Sequence, residues 1–152
     1  MAKDSIKKEL HEACLEFVKD RIKNAEDAIV SAQESANEET KSSSGDKYET
    51  GRAMMHREVE NLSVQLNEAR KLEEILINTN PTINNNEVSK GAVVKTSLGN
   101  YYISVSAGKI TAGGDDYFAI TPASPIGSAM AGLKAGDSFD WNKKKVTIKE
   151  IH

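Results

Sequence analysis

Three carboxylates, Glu38, Glu39 and Asp46, stand in or beside the stretch N-E-E-T-K-S-S-S-G, Asn37 to Gly45, which holds no large apolar residue. Carboxylate oxygens suit hard divalent cations. A cluster of them at the end of a rigid projection could supply ligands to a metal held in another protein's cleft. Each acid also has a plain structural role open to it. Asp46 fits the N-cap of a following helix, with Glu49 three residues on completing a capping box. Glu38 and Glu39 fit a solvated last helical turn, where negative charge slightly opposes the macrodipole. A second pair, His11 and Cys14, is spaced by three, so both can share one helix face. Two ligands do not make a zinc site, and nothing local supplies Cys14 with a base and an oxyanion site. The sequence predicts a half-buried packing cysteine.

Two long helices must position these residues. In the first, Ile6, Leu10, Ala13, Phe17, Ile22, Ala25, Ile29, Ala32 and Ala36 recur mostly every three or four residues, which puts them on one stripe. In the second, Tyr48, Met55, Val59, Leu62, Leu66, Ala69, Leu72 and Leu76 do the same. The predicted spans are Ala2 to Ala36 and Lys47 to about Asn78. Neither stripe can be buried alone, so the two should pack as an antiparallel coiled coil. At about 1.5 Å per residue the first would be roughly 50 Å long. Its charges Lys7, Lys8, Glu12, Lys19, Asp20, Arg21, Lys23, Asp27 and Glu34 read as a solvated outer face. Ser42-Ser43-Ser44-Gly45 allows a tight turn between the limbs.

Composition agrees with a largely wet helical pair: 38% of residues are hydrophobic and 28% charged, over 152 residues. The net charge of −3 gives no general attraction to nucleic acid or to an acidic membrane. A protein is the expected partner. A single cysteine excludes a disulfide framework within one chain. No apolar run approaches a membrane span, and the first residues lack the apolar core of a secretory signal. The expectation is a cytoplasmic chain without membrane attachment.

After the helices, N-T-N-P-T-I-N-N-N, Asn78 to Asn86, supplies stop and loop signals. The expected organisation is a helical hairpin over 1–78, a linker over 79–87 and a second domain over 88–152. From Val88 the period changes. Ala92 to Ser97 and Tyr101 to Ser106 read as strands around a Gly99-Asn100 turn. Gly113 to Asp116 reads as a turn before the strand Tyr117 to Thr121. Ser124-Pro125 looks like an N-cap with proline in the first turn of a short helix reaching Leu133. Ser138 to Trp141 and Lys145 to Ile151 are the last strands, joined through Asn142-Lys143. The fold class expected is α+β, a small, mostly antiparallel sheet with one short helix upon it.

The run S-P-I-G-S-A-M-A-G-L-K-A-G-D, Ser124 to Asp137, resembles the C-terminal signature of the bacterial Gre-type transcript cleavage factors, which show S-P-[IL], a Gly and then G-D before the last two strands. The order of parts is similar too: a coiled-coil hairpin, a linker and an FKBP-like sheet domain. The resemblance covers nearly the whole chain. It implies a monomer that binds RNA polymerase, docks the sheet domain at the rim of the secondary channel and passes the hairpin inside. Acids at the tip would there help hold a second Mg2+ that serves hydrolysis of the RNA 3′ end. By this likeness Ser124, Pro125, Ile126 and Gly127 would lie in the docking surface, and Glu38, Glu39 and Asp46 would be the acids assisting catalysis. The isolated chain would hold no metal or other cofactor and would be no enzyme itself.

The tip departs from the family, whose sequence there is G-D-L-S-E-N-A-E-Y with the Asp and the first Glu as the metal-assisting acids. Aligned on Tyr48, this chain reads T-K-S-S-S-G-D-K-Y. Lys41 stands in the place of the Asp and Ser44 in the place of the Glu. A lysine there opposes Mg2+ by charge repulsion. The acids present are two or three residues out of register, so the chain fits either an altered cleavage factor or an inhibitory occupant of the channel. Two other classes remain. One is a coiled-coil interaction module without cleavage activity, which exposed apolar residues on the outer helix faces would favour. The other is a prolyl isomerase, which would need Tyr101, Tyr102, Tyr117, Phe118, Phe139 and Trp141 to line a pocket.

Overall fold

The computed structural model describes the backbone of residues 2–41 and 46–152, and the side chains of residues 5–37 and 51–152. Two long helices, α1 (Ala2–Lys41) and α2 (Asp46–Ile77), precede six strands and one short helix. The class is α+β. The chain divides into two compact units, Val18–Glu74, and Met1–Phe17 with Ile75–His152. No helix among the described residues is long and apolar enough to cross a membrane.

In the helical unit α1 and α2 run antiparallel. Arg21 to Ala25 share a hollow with Leu62 and Gln65, while Gln33 to Asn37 share another with Arg52 to Val59. Val18, Ala25 and Ala32 are buried on α1, and Leu66 and Ala69 on α2. With the half-buried Ile22, Ile29 and Ala36, the α1 seam alternates spacings of four and three, the heptad rhythm of a coiled coil. Met55, Val59 and Leu62 lead into Leu66 and Ala69 in the same rhythm on α2. Arg70 reaches Glu26 at 3.5 Å, but both side chains are about half exposed, so this ion pair contributes at most about 1 kcal/mol.

Followed back towards the N-terminus, the seam corrects the sequence-based stripe. Cys14 and Val18 are fully buried, whereas Ala13 is half-buried and Phe17 exposed. The four-three rhythm continues from Val18 to Cys14, His11 and Lys7. Lys7, assigned above to a solvated face, is only 2% exposed. Periodicity weighted by apolar residue type chose Phe17 and rejected Lys7, because it cannot register that a polar side chain finds partners.

The sheet unit holds β1 (Val93–Thr96), β2 (Asn100–Ile103), β3 (Gly108–Ala112), β4 (Asp115–Ile120), α3 (Pro125–Met130), β5 (Ser138–Trp141) and β6 (Lys144–Ile151). The order across the sheet is β3-β4-β2-β1-β6-β5. All neighbours are antiparallel except β2 and β4, which pair in parallel with Tyr102 opposite Ala119. The sheet is therefore mostly antiparallel, as the sequence predicts. The chain leaves β2, forms the edge strand β3 and returns beside β2 as β4. The sequence reading omitted β3, whose G-K-I-T-A has only a short alternation. Gly113 and Gly114 make the β3–β4 turn at φ of 58° and 84°, and Asn142 and Lys143 make the β5–β6 turn at 50° and 67°. Left-handed backbone at both central residues suits the twist of a two-residue hairpin. The β1–β2 turn falls earlier than expected: Asn100 already belongs to β2, and the Thr96 hydroxyl accepts from the backbone N–H of Leu98 and Gly99.

Strand alternation sorts the sheet into two faces. One carries Val94, Tyr101, Ile103 and Ile148, packed with Val88, Ala92 and Met130 of the α3 side. The opposite face carries Val93, Tyr102, Tyr117 and Ala119, and the first turns of α1 lie on it. Ile6 meets the β3–β4 turn so closely that a β-carbon on Gly113 would stand 2.9 Å from its Cδ1.

Candidate functional site

A hollow of about 350 Å³ is lined by Gln33, Ala36 and Asn37 of α1 and Arg52, Met55, His56 and Val59 of α2. Arg52 Nε donates to His56 Nε2 at 3.4 Å, and both side chains are exposed, as is Arg57. A bonded Arg–His pair with amide neighbours can receive an anionic group. Sequence reasoning passed over these residues, although Arg52, His56 and Arg57 stand at spacings of four and five on α2. The carboxylates proposed from sequence, Glu38, Glu39 and Asp46, have side chains outside the described residues, as do Lys41 and Ser44. Their backbone places Glu38 and Glu39 within α1, which runs to Lys41 and not only to Ala36, and Asp46 at the first residue of α2.

The residues expected to dock a partner shape the start of α3. Ser124 is its N-cap, with φ −62° and ψ 157°, and its Oγ accepts from Gly127 N at 3.1 Å while donating to Thr121 O at 2.7 Å. Pro125 fills the first helical position, where no N–H is needed. Ile126 packs against the core cluster. Gly127 is buried, and a β-carbon there would collide with Thr121 O and lie 2.7 Å from Ser124 Oγ. Three of the four residues thus build the loop from inside. What this corner offers to solvent is Pro122, Ala123, Pro125 and Ser128, all exposed.

A third group was only half visible in the sequence. Lys7 Nζ donates to Ile83 O, to Asn85 Oδ1 at 2.8 Å and to His152 O at 3.2 Å. One turn on, His11 Nδ1 lies 3.3 Å from the Tyr102 hydroxyl. Burial holds the His11 pKa below its ordinary value, against a smaller opposing pull from Glu12. Burial pushes the Cys14 thiol up to about 12 and raises the Tyr102 phenol as well, with Cys14 adding to the effect. His11 and Cys14 do share one face, as their spacing suggested. A thiol so buried is inert as a nucleophile, and it is fully, not half, buried. Among the described residues no group of three His, Cys, Asp or Glu side chains is placed to hold a metal ion.

The aromatic residues are divided between the two sheet faces. Tyr101 and Phe118 lie on the α3 side with ring centroids 6.3 Å apart, and Phe139 packs there too. Tyr102 and Tyr117 are buried on the other face. They do not converge on one pocket. Compared with models of known protein families the chain matches none, and no curated protein matches it.

Proposed function

We propose that this chain is a Gre-like factor that binds RNA polymerase at its secondary channel and regulates transcription elongation. The observation that carries the reading is the combination of two parts in one short chain. One is an antiparallel two-helix coiled coil. The other is a six-stranded sheet whose helix α3 is capped through the S-P-I-G run on which the family resemblance rests. The rigid Thr121–Gly127 corner, with Pro122, Ala123 and Pro125 outward, suits docking against a protein surface. Arg52, His56 and Arg57 suit an anionic surrounding such as RNA within the polymerase. The chain supplies no cofactor of its own in this reading, and Mg2+ acts only in the complex.

Lys41 and Ser44 stand where the family's acids stand, which favours occupation of the channel over stimulation of cleavage. The test is RNA cleavage in backtracked elongation complexes at near-limiting Mg2+, with the native chain and with a Glu39→Ala, Asp46→Ala double variant. Channel occupation without the metal-assisting pair predicts no stimulation by either. Stimulation that the double variant loses would mean that the displaced acids work from a new register. Stimulation that the variant keeps would remove these acids from the mechanism.

One observation favours a second reading. Val30, Met54 and Val64 are each more than half exposed on the helical pair. An interaction module binding some other protein through the coiled coil would use them. Replacing all three with Ser would then abolish binding, while leaving polymerase competition untouched.

A further inference from the structure

Lys7, His11 and Cys14 recur at intervals of four and three on α1, and all three are buried. Apolar side chains would dock a helix on a sheet without the cost of desolvating polar groups. His11 is the member whose charge changes near neutral pH. We propose that His11 is a pH-operated latch: neutral, it holds the base of α1 on the sheet through Tyr102, and protonated, it frees that base while the α3 side of the sheet stays packed.

The geometry supplies both states. A neutral imidazole offers one donor and one acceptor nitrogen, and the Tyr102 hydroxyl, 3.3 Å from Nδ1, partners one of them. An imidazolium donates from both nitrogens and carries a charge among Leu10, Cys14 and Tyr102, all buried. The ionisable and polar groups around it do not compensate. On α1 these are Lys7, Cys14 and the exposed Glu12. Tyr102 on β2 and Tyr117 on β4 are neutral phenols, and the Tyr117 hydroxyl is buried without a partner among the described residues. Lys95 on β1 shares this face and is positive. Asn85 already accepts from Lys7, and Glu150 is engaged by His152 at 3.2 Å. The last turn of α2 brings the apolar Leu76. The interface also contains an unsatisfied hydroxyl, so it has less to lose on parting than an apolar seam.

The sign follows from where the proton binds first. Burial lowers the pKa of His11 in the closed state below its ordinary 6.5, so the open state takes up the proton first. The latch is therefore fully closed above about pH 6.5 and loosens as pH falls below it. Its opening constant rises by up to about tenfold per pH unit, or up to about 30-fold between pH 7.5 and pH 5.

Hydrogen exchange of the full chain, corrected for intrinsic rates, reads this peptide by peptide. Protection over residues 5–17 should fall by up to about 30-fold between pH 7.5 and pH 5 while residues 125–133 hold theirs. His11→Gln should remove the fall, and a His56→Gln, His152→Gln double variant should keep it. Proton NMR of the native chain needs no variant: the His11 ring should titrate below its ordinary 6.5. An unchanged fall in His11→Gln, equal loss over residues 125–133, no fall at all, or a His11 titration at or above 6.5 would each overturn the latch.

Discussion

Gly127→Ala tests how the α3 corner is built. The new methyl would collide with the carbonyl oxygen of Thr121, and would lie 2.7 Å from Ser124 Oγ and 3.2 Å from Pro122 O. Two of these three are backbone atoms, which cannot rotate away. Relief requires α3 to lift from the 121–124 loop, and lifting stretches the 3.1 Å cap bond from Gly127 N to Ser124 Oγ. Overpacking of this kind costs about 1–3 kcal/mol, and a lost N-cap bond adds about 1 kcal/mol. The expected destabilisation is about 2–4 kcal/mol. Ser124→Ala, which removes the cap without the collision, should cost only about 1 kcal/mol. Urea unfolding followed by the fluorescence of Trp141, the single tryptophan, measures both on β5 of the same unit. A Gly127→Ala variant as stable as the native chain, or no worse than Ser124→Ala, would refute the reasoning. Gly127 would then be replaceable, and the corner would not be sterically set.

Lys7→Met keeps the length of the side chain but leaves Ile83 O, Asn85 Oδ1 and His152 O without this donor. The expected loss is about 2–4 kcal/mol in urea unfolding, with faster hydrogen exchange over 83–91. A loss within the range of an ordinary surface substitution would mean that water replaces the amine freely. With its pKa near 12, Cys14 should be thiolate in only on the order of one molecule in ten thousand at pH 8. Alkylation followed by mass should therefore be negligible in the native chain and complete in urea, and rapid native labelling would contradict the burial.

The fold was largely legible in the sequence where one pattern was strong. Spacings of three and four across Ile22 to Ala36 and Met55 to Ala69 are seam positions in the structure. Ser124-Pro125 is a cap because the serine oxygen and the missing proline N–H each solve a problem at a helix start. The edge strand β3 was missed because Lys109 and Thr111 alternate with too few apolar residues, although the Gly113-Gly114 turn pairs it directly with β4. Which pair would be the parallel one, β2 with β4, was not legible, because local turns do not say which distant strands become neighbours. At the base of α1, Lys7 looks solvent-facing, and His11 has no evident partner, until Ile83, Asn85, His152 and Tyr102 are brought to them by the chain's return. The S-P-I-G run was legible as a motif, but its division into inward Ser124, Ile126 and Gly127 and outward Pro125 required the loop geometry.

The central claim is that the chain binds RNA polymerase in the place used by the transcript cleavage factors. The most direct measurement is displacement of a fluorescently labelled cleavage factor from core polymerase of the matching bacterium by titrating in this chain. The account predicts full, saturable displacement at one chain per polymerase, weakened by Gly127→Ala through the docking corner. Retention of the labelled factor at saturating concentrations of the folded native chain would contradict it.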